Sequence, residues 1–269
     1  MTTRGIIRRY AFLSPRLYEL QQFCRSRARS LLKPDVHDSD FLYFRRWVGR
    51  PATFLDIGAN VGQSVASIHN LVPQAHICSF EPNGECYRQV KILAKLLGHV
   101  EAFNCALGAA PGMVTFHIPK ARGFAFSQLA SLNEPNREEL AADLVERGFS
   151  FATAANLEIE RRQVEVRTLD SFNLRPDVIK IDVEGAELDV LLGGQNTLAQ
   201  SRPTLLIEEG GRPEIQQALS SLDYLPFSYD AHSDRLVGPR KEGWNLFYVP
   251  RDNAGPHVPR TGAPRLAAI

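Results

Sequence analysis

Along the chain, short apolar runs alternate with longer segments whose apolar residues recur every three or four positions. The runs Thr53–Ile57, "AHICSFEP" (75–82), "PDVIKIDVEG" (176–185) and "PTLLIEEG" (203–210) predict strands, the last two continuous enough to be buried on both faces. "VEAFNCALG" (100–108) predicts a further strand, while "MVTFHIP" (113–119) and "VEVRTLDSF" (164–172) alternate in the manner of half-buried strands. Helical spacing fills the gaps. It follows Gly62 through Asn70, covers "GECYRQVKILAKLLG" (84–98) up to a closing glycine, and resumes in "AELDVLLGGQNTLAQ". "YLPFSYD" and "WNLFYVP" predict an antiparallel pair closing one sheet edge.

Strands separated by helices of this length predict an α/β fold with a doubly wound, mostly parallel sheet over residues 51–250. Residues 120–163 interrupt the rhythm. They contain the helical "NREELAADLVERGF" and are expected to overhang the carboxyl ends of the strands on the substrate side. Residues 1–50 read as an N-terminal helical extension, with Leu17, Leu20, Phe23 and Cys24 on one stripe and a break at Pro34. The tail 251–269, with three prolines and two glycines, is expected to be flexible.

The 269 residues are 44% hydrophobic and 23% charged, ordinary for a globular protein, and carry a net charge of +1. That balance argues against nucleic acid as a partner. The charge is uneven: residues 1–33 hold eight Arg and Lys against the single acid Glu19, which suits a solvated helical face or contact with a membrane surface or lipid-linked acceptor. Cys24, Cys78, Cys86 and Cys105 form no CxxC pair, so reduced thiols and a cytoplasmic location are expected, with no zinc site. No apolar run approaches the roughly 20 residues of a membrane span, and no secretory signal is evident.

The chemistry concentrates in "FLDIGANVGQS". The turn Asp56 to Gly62 follows the first strand, where open α/β sheets bind nucleotides. Gly58 and Gly62 are four residues apart with Asn60 between them, one short of the dinucleotide fingerprint, and no Gly-Lys-Ser/Thr follows to make a P-loop. An acid before the turn repels a diphosphate but suits the ammonium of S-adenosylmethionine. Glu81, 25 residues on at the end of the second strand, stands where a carboxylate accepts both ribose hydroxyls. S-adenosylmethionine is therefore the expected ligand.

The blocks "FLDIGANVGQS", "FEPN", "NCALG", "VRTLDSF", "DVIKIDVEGAELDVLLGG" and "RPTLLIEE", in order and spacing, resemble the FkbM-type family of S-adenosylmethionine-dependent methyltransferases from about residue 53 to 210. The resemblance implies a class I methyltransferase fold, Rossmann-like, with a seven-stranded sheet and a reversed edge hairpin. It implies methyl transfer to hydroxyl oxygens of sugars, glycans or other natural products. By position it places Asp56, Gly58, Asn60 and Gly62 around the methionine moiety, Glu81 on the ribose, and Asn104 or the backbone at Cys105 and Ala106 near adenine. Asn104 reads equally as a strand-end turn residue, and Cys105 as packing.

Methyl transfer from a sulfonium requires alignment, and a hydroxyl acceptor gains from a nearby base. "KIDVEGAE" supplies candidates: Asp182 at the strand end and Glu184 two residues on, with Glu208 a third acid able to converge on the cleft. Asp182 reads otherwise as a cap, and Glu187 as a solvated acid complementing the helix dipole. Lys180 is either a snorkelling residue or a partner of these carboxylates. Three acids would admit a divalent ion, but no spacing demands one, so no metal is assigned. Phe124, Phe126, Ser127 and Ser131 are candidate acceptor contacts or plain loop anchors. The alternatives are a methyltransferase for a macromolecule and a binding or assembly protein without turnover. "DVEG" lacks the Pro-Pro-aromatic turn of base methylation, and the retained acids argue against the second.

Overall fold

The computed structural model describes residues 36–132, 134–240 and 245–254. The basic stretch 1–33 and residues 255–269 of the tail lie outside the described residues. Of the N-terminal extension, the structure describes a 3-10 helix, Ser39–Trp47, capped by Asp38. Phe44 of this helix is buried edge-to-face against Trp47, Phe54 and Phe247.

The strands β1 (Thr53–Ile57), β2 (His76–Phe80), β3 (Val100–Phe103), β8 (Val178–Ile181), β9 (Thr204–Glu208), β10 (Tyr224–Asp230), β11 (Arg235–Val237) and β12 (Asn245–Pro250) form one sheet in the order β11-β10-β12-β9-β8-β1-β2-β3. The five strands from β3 to β9 are parallel; β12 runs antiparallel to both β9 and β10. The reversed edge pair is thus present. The sheet has eight strands rather than the expected seven, because three residues of β11 extend the edge beyond β10.

Alternate residues of β1, Phe54 and Leu55, enter cores on opposite faces of the sheet, which is why the run reads as continuously apolar. Helices α1 (Gln63–Leu71) and α2 (Gly84–Leu97) follow β1 and β2. Asn83 caps α2, and Gly98 ends it in the left-handed conformation.

Four sequence expectations are corrected. "VEAFNCALG" is two strands: β3 ends at Phe103, and β4 (Ala106–Leu107) crosses to a second sheet. That sheet, β4-β7-β5-β6, is built on the long antiparallel pair β5 (Gly112–Ala121) and β7 (Leu157–Arg167), with β6 (Phe124–Ala125) at its edge. The region 120–163 is therefore partly strand. It also holds α3 (Arg137–Glu146), and Phe124, Phe126, Phe149 and Phe151 pack as its core. "VEVRTLDSF" ends as strand at Arg167 and continues as a 3-10 turn, Leu169–Phe172. The helix predicted after Ala186 is two, α4 (Glu187–Leu192) and α5 (Gln195–Ser201). A Cβ at Gly193, between them, would lie 2.0 Å from the Gly108 carbonyl oxygen, so a close backbone approach sets the break. Helix α6 (Pro213–Ser221) precedes β10.

Candidate active site

Strand order reverses beside β1: the chain runs outward to β2 and β3, then returns to β8 on the other flank. The loops that leave the carboxyl ends of β1 and β8 therefore turn away from each other, and a crevice forms above the paired strands. Gly58 opens it with φ +82°, and its N–H and that of Ala59 donate to the Phe80 carbonyl. The crevice widens into a cleft of about 700 Å³ counted to its open mouth. Gly58, Asn60, Glu81, Ala106, Asp182 and Glu184 all line it. The second sheet supplies part of its apolar wall, including Phe116 on β5 and Leu132 just beyond.

Glu81 is buried, with Oε2 accepting from the Asn60 N–H and Oε1 from the Asn83 N–H, each at 2.7 Å. Burial pushes its carboxyl up to about 7, against those two hydrogen bonds and the charge of Lys180. Asn60 adopts φ +50°, which turns its N–H toward Glu81.

Asp56, Gly62 and Asn104 do not line the cleft. Asp56 is fully buried beneath the turn. Its Oδ2 accepts from Ser64 Oγ at 2.6 Å, and its Oδ1 lies 3.4 Å from Lys180 Nζ. The expected direct pairing of this acid with a ligand ammonium is thus replaced by an internal ion pair. Gly62 (φ +87°) starts α1, and a Cβ there would lie 2.5 Å from Leu93 Cδ1, so its constraint is the packing of α1 on α2. Asn104 Nδ2 donates to the carbonyls of Glu81 (2.8 Å) and Pro82 (3.1 Å), the turn-residue reading of this side chain.

Lys180 joins the halves. Its ammonium donates to the Gly58 carbonyl at 2.7 Å and lies 3.2 Å from Asp182 Oδ2 as well as against Asp56. Burial disfavours this charge, but the two carboxylates outweigh it and raise its pKa. Asp182 in turn stays below the ordinary carboxylate range: burial opposes ionisation, while Lys180 and a hydrogen bond with Glu208 favour it. That hydrogen bond, burial and the charge of Asp182 push Glu208 up to about 8. At neutral pH the pair therefore holds one proton shared in the hydrogen bond between the two carboxyls. Glu184, at φ +54° and lining the cleft, has its pKa raised by partial desolvation of the carboxylate and by the acids around it.

The acids Asp182, Glu184 and Glu208 offer oxygens within 4.8 Å of one another, a spacing a divalent ion can bridge. His76, Cys78 and Glu101 at the far end of β2 and β3 have the same spacing. The H-x-C alternation on β2 was the legible part of that second group; Glu101 joins it only through strand register.

Glu187 departs from its sequence reading. It is 1% exposed, accepts from the N–H groups of Val183 (3.2 Å) and Gly185 (3.1 Å), and pairs with Arg212 at 2.7 Å. It pins the turn that carries Asp182 and Glu184. Glu187→Ala should cost about 2 kcal/mol in urea unfolding, short of the 3–5 of a fully buried pair because Arg212 keeps some contact with water. A loss under 0.5 kcal/mol would contradict this role.

Residues 56–236 match the family model described as the methyltransferase FkbM domain. The chain is 27% identical over 182 residues to methyltransferase sdnD of Sordaria araneosa, covering 61% of this chain and 70% of that protein. It is 27% identical over 189 residues to 2-O-methyltransferase NoeI of Sinorhizobium fredii, covering 69% and 75%. Among solved structures it is similar to methyltransferase FkbM from Methylobacillus flagellatus, with 16% identity and a TM-score of 0.48, covering 79% of this chain and 48% of that one. The matched span takes in the glycine turn, Glu81, the Lys180–Asp182 pair and Glu208 together, and by that match the chain belongs to the FkbM methyltransferase family.

Proposed function

We propose that the protein transfers the methyl group of S-adenosylmethionine to a hydroxyl oxygen of a sugar, glycan or other natural-product acceptor. The observation that carries this reading is Glu81, a buried carboxylate clamped by two backbone N–H groups and facing the cleft beside the glycine turn. Its remaining lone pairs suit the two ribose hydroxyls. The neighbouring wall of Phe80, Ala106 and Leu107 suits the adenine ring, and among the described residues lining the cleft none is a cation that would favour a diphosphate. The name of NoeI, a 2-O-methyltransferase, supports oxygen as the acceptor.

When bound, the cofactor supplies a methyl group already activated on a sulfonium. The chain then has to hold and orient. Asn60 and the backbone at Gly58 bound the methionine end, with Asp56 acting through Lys180 and Gly62 through helix packing. Ala106 borders the adenine end, where Asn104 shapes the turn. Asp182 and Glu184 face the acceptor and fix its hydroxyl. Among the described residues no helix is long and apolar enough to cross a membrane. The free, buried thiols Cys78, Cys86 and Cys105 support a reducing compartment such as the cytoplasm.

Titration calorimetry with S-adenosylmethionine tests the reading. Ribose hydroxyls favour ionised Glu81, whereas below about pH 7 the free protein holds a proton there that binding must release. Affinity should therefore rise up to tenfold per unit between pH 5.5 and 7 and level off above. Glu81→Ala should weaken binding by more than about 100-fold, since two charge-assisted hydrogen bonds are worth roughly 3 kcal/mol or more. Equal affinity for wild type and Glu81→Ala, or tight NAD occupancy instead, would refute the assignment.

A further inference from the structure

His37 lies just ahead of the 3-10 helix, in a stretch whose sequence reads only as a helix break. Its backbone N–H donates to Ser67 Oγ at 3.1 Å, and its Nδ1 lies 2.9 Å from the same oxygen. Ser67 Oγ also lies 2.9 Å from the Gln63 carbonyl, to which it must donate, since a carbonyl cannot. The hydroxyl's one hydrogen is then committed, and its two lone pairs face His37. Nδ1 must carry the proton, so Nε2 carries a free lone pair. Among the described residues Nε2 has no hydrogen-bond partner; the ring rests edge-on against Phe41 at 4.4 Å.

Two contacts place His37 between elements that border the crevice. Ser67 belongs to α1, which starts at the glycine turn. The adjacent Asp38 accepts from Asn245 Nδ2 at 3.0 Å, and Asn245 is the residue paired across from Glu208. His37 is thus strung between α1 and the carboxyl end of β9, within electrostatic reach of Lys180, Asp56, Asp38 and Asp182. Burial and Lys180 lower its pKa, partly offset by the three carboxylates, so the ring is neutral at neutral pH. Asp182 suits a proton less well: Lys180 and Glu208 already occupy its carboxylate.

We propose that His37 is a catalytic residue whose Nε2 accepts the proton of the acceptor hydroxyl, while Asp182 orients that hydroxyl. This rests on the methyl-transfer reading above. As the acceptor oxygen forms its bond to the methyl carbon, the carbon–sulfur bond breaks with its electron pair left on sulfur, and the hydroxyl proton passes to Nε2. The products are a methyl ether, a neutral sulfide and an imidazolium, whose charge Asp182, Asp38 and Asp56 stabilise.

Nitrogen-15 spectra of histidine-labelled protein bound to S-adenosylhomocysteine, taken at pH 7, test the lone pair without any acceptor. The expected pattern is protonated Nδ1 and bare Nε2 at His37, lost in Ser67→Ala; a protonated Nε2 in the wild type overturns the proposal. Methyl uptake by a panel of methyl glycosides and hydroxylated fatty acids is then compared for wild type and His37→Gln. His37→Gln should bind S-adenosylmethionine within threefold of wild type yet lose at least 100-fold in uptake. Uptake within threefold of wild type overturns the role. Failure of the wild type itself to bind S-adenosylmethionine refutes the methyltransferase reading, a result distinct from a wrong tautomer at His37.

Discussion

Gly58→Ala should abolish S-adenosylmethionine binding and destabilise the fold by about 3 kcal/mol or more, read by calorimetry and urea unfolding. Two independent constraints meet at this residue. Its φ of +82° is a conformation that a Cβ disfavours by roughly 1 kcal/mol. The larger constraint is spatial: a Cβ would lie 1.7 Å from the Asp182 carbonyl oxygen and 3.3 Å from Val183 Cγ1. That obstacle is backbone, and it is tied down. The Asp182 N–H donates to the Ile57 carbonyl, and Glu187 holds the N–H groups of Val183 and Gly185. The alanine can be admitted only by prising β1 from β8 at the crevice where the cofactor is proposed to lie. A Gly49→Ala control, at φ +80° with nothing within 4 Å of the added methyl, isolates the dihedral cost. If both variants lost equally little stability and Gly58→Ala still bound cofactor, the crevice would not be where binding occurs.

This convergence explains which parts of the molecule the sequence revealed. Strands buried on both faces announce themselves as unbroken apolar runs, so β1, β2, β8 and β9 were legible, and with them the switch-point turn. Period alone names a strand but not its partner. "MVTFHIP" therefore read as strand, while its ten-residue pairing with β7 and the separate sheet they form stayed hidden. Asn104 and Cys105, where the chain changes sheets, carry no Gly or Pro to mark the crossing. Glu187 looked like a solvated helix acid because its partner, Arg212, lies 25 residues on. Asp56 reads in the sequence as an acid at the turn, but sequence cannot show that it points under the turn toward Lys180. His37 was missed outright, since its meaning depends on Ser67, 30 residues away.

Lys180 was left between two readings, and burial decides for the ion pair. Lys180→Met should cost about 3–5 kcal/mol, because Asp56 at 0% exposure would lose the cation beside it and retain Ser64 as its hydrogen-bond partner. The Gly58 carbonyl would also lose its 2.7 Å donor, loosening the turn from below. Adding Asp56→Asn removes the stranded charge and should recover most of the loss, a coupling of 2 kcal/mol or more in a double-mutant cycle. Additive losses would mean that the two groups do not share one ion pair. The pH dependence has a definite sign. Asp182 sits below its unfolded pKa because of Lys180, so its contribution to stability is present above about pH 4 and is lost as pH falls through the depressed native value. Lys180→Met removes the larger cause of the depression and leaves the Glu208 hydrogen bond. The variant's deficit relative to wild type should therefore shrink as both are acidified below pH 4, whereas a purely steric defect would leave it constant with pH.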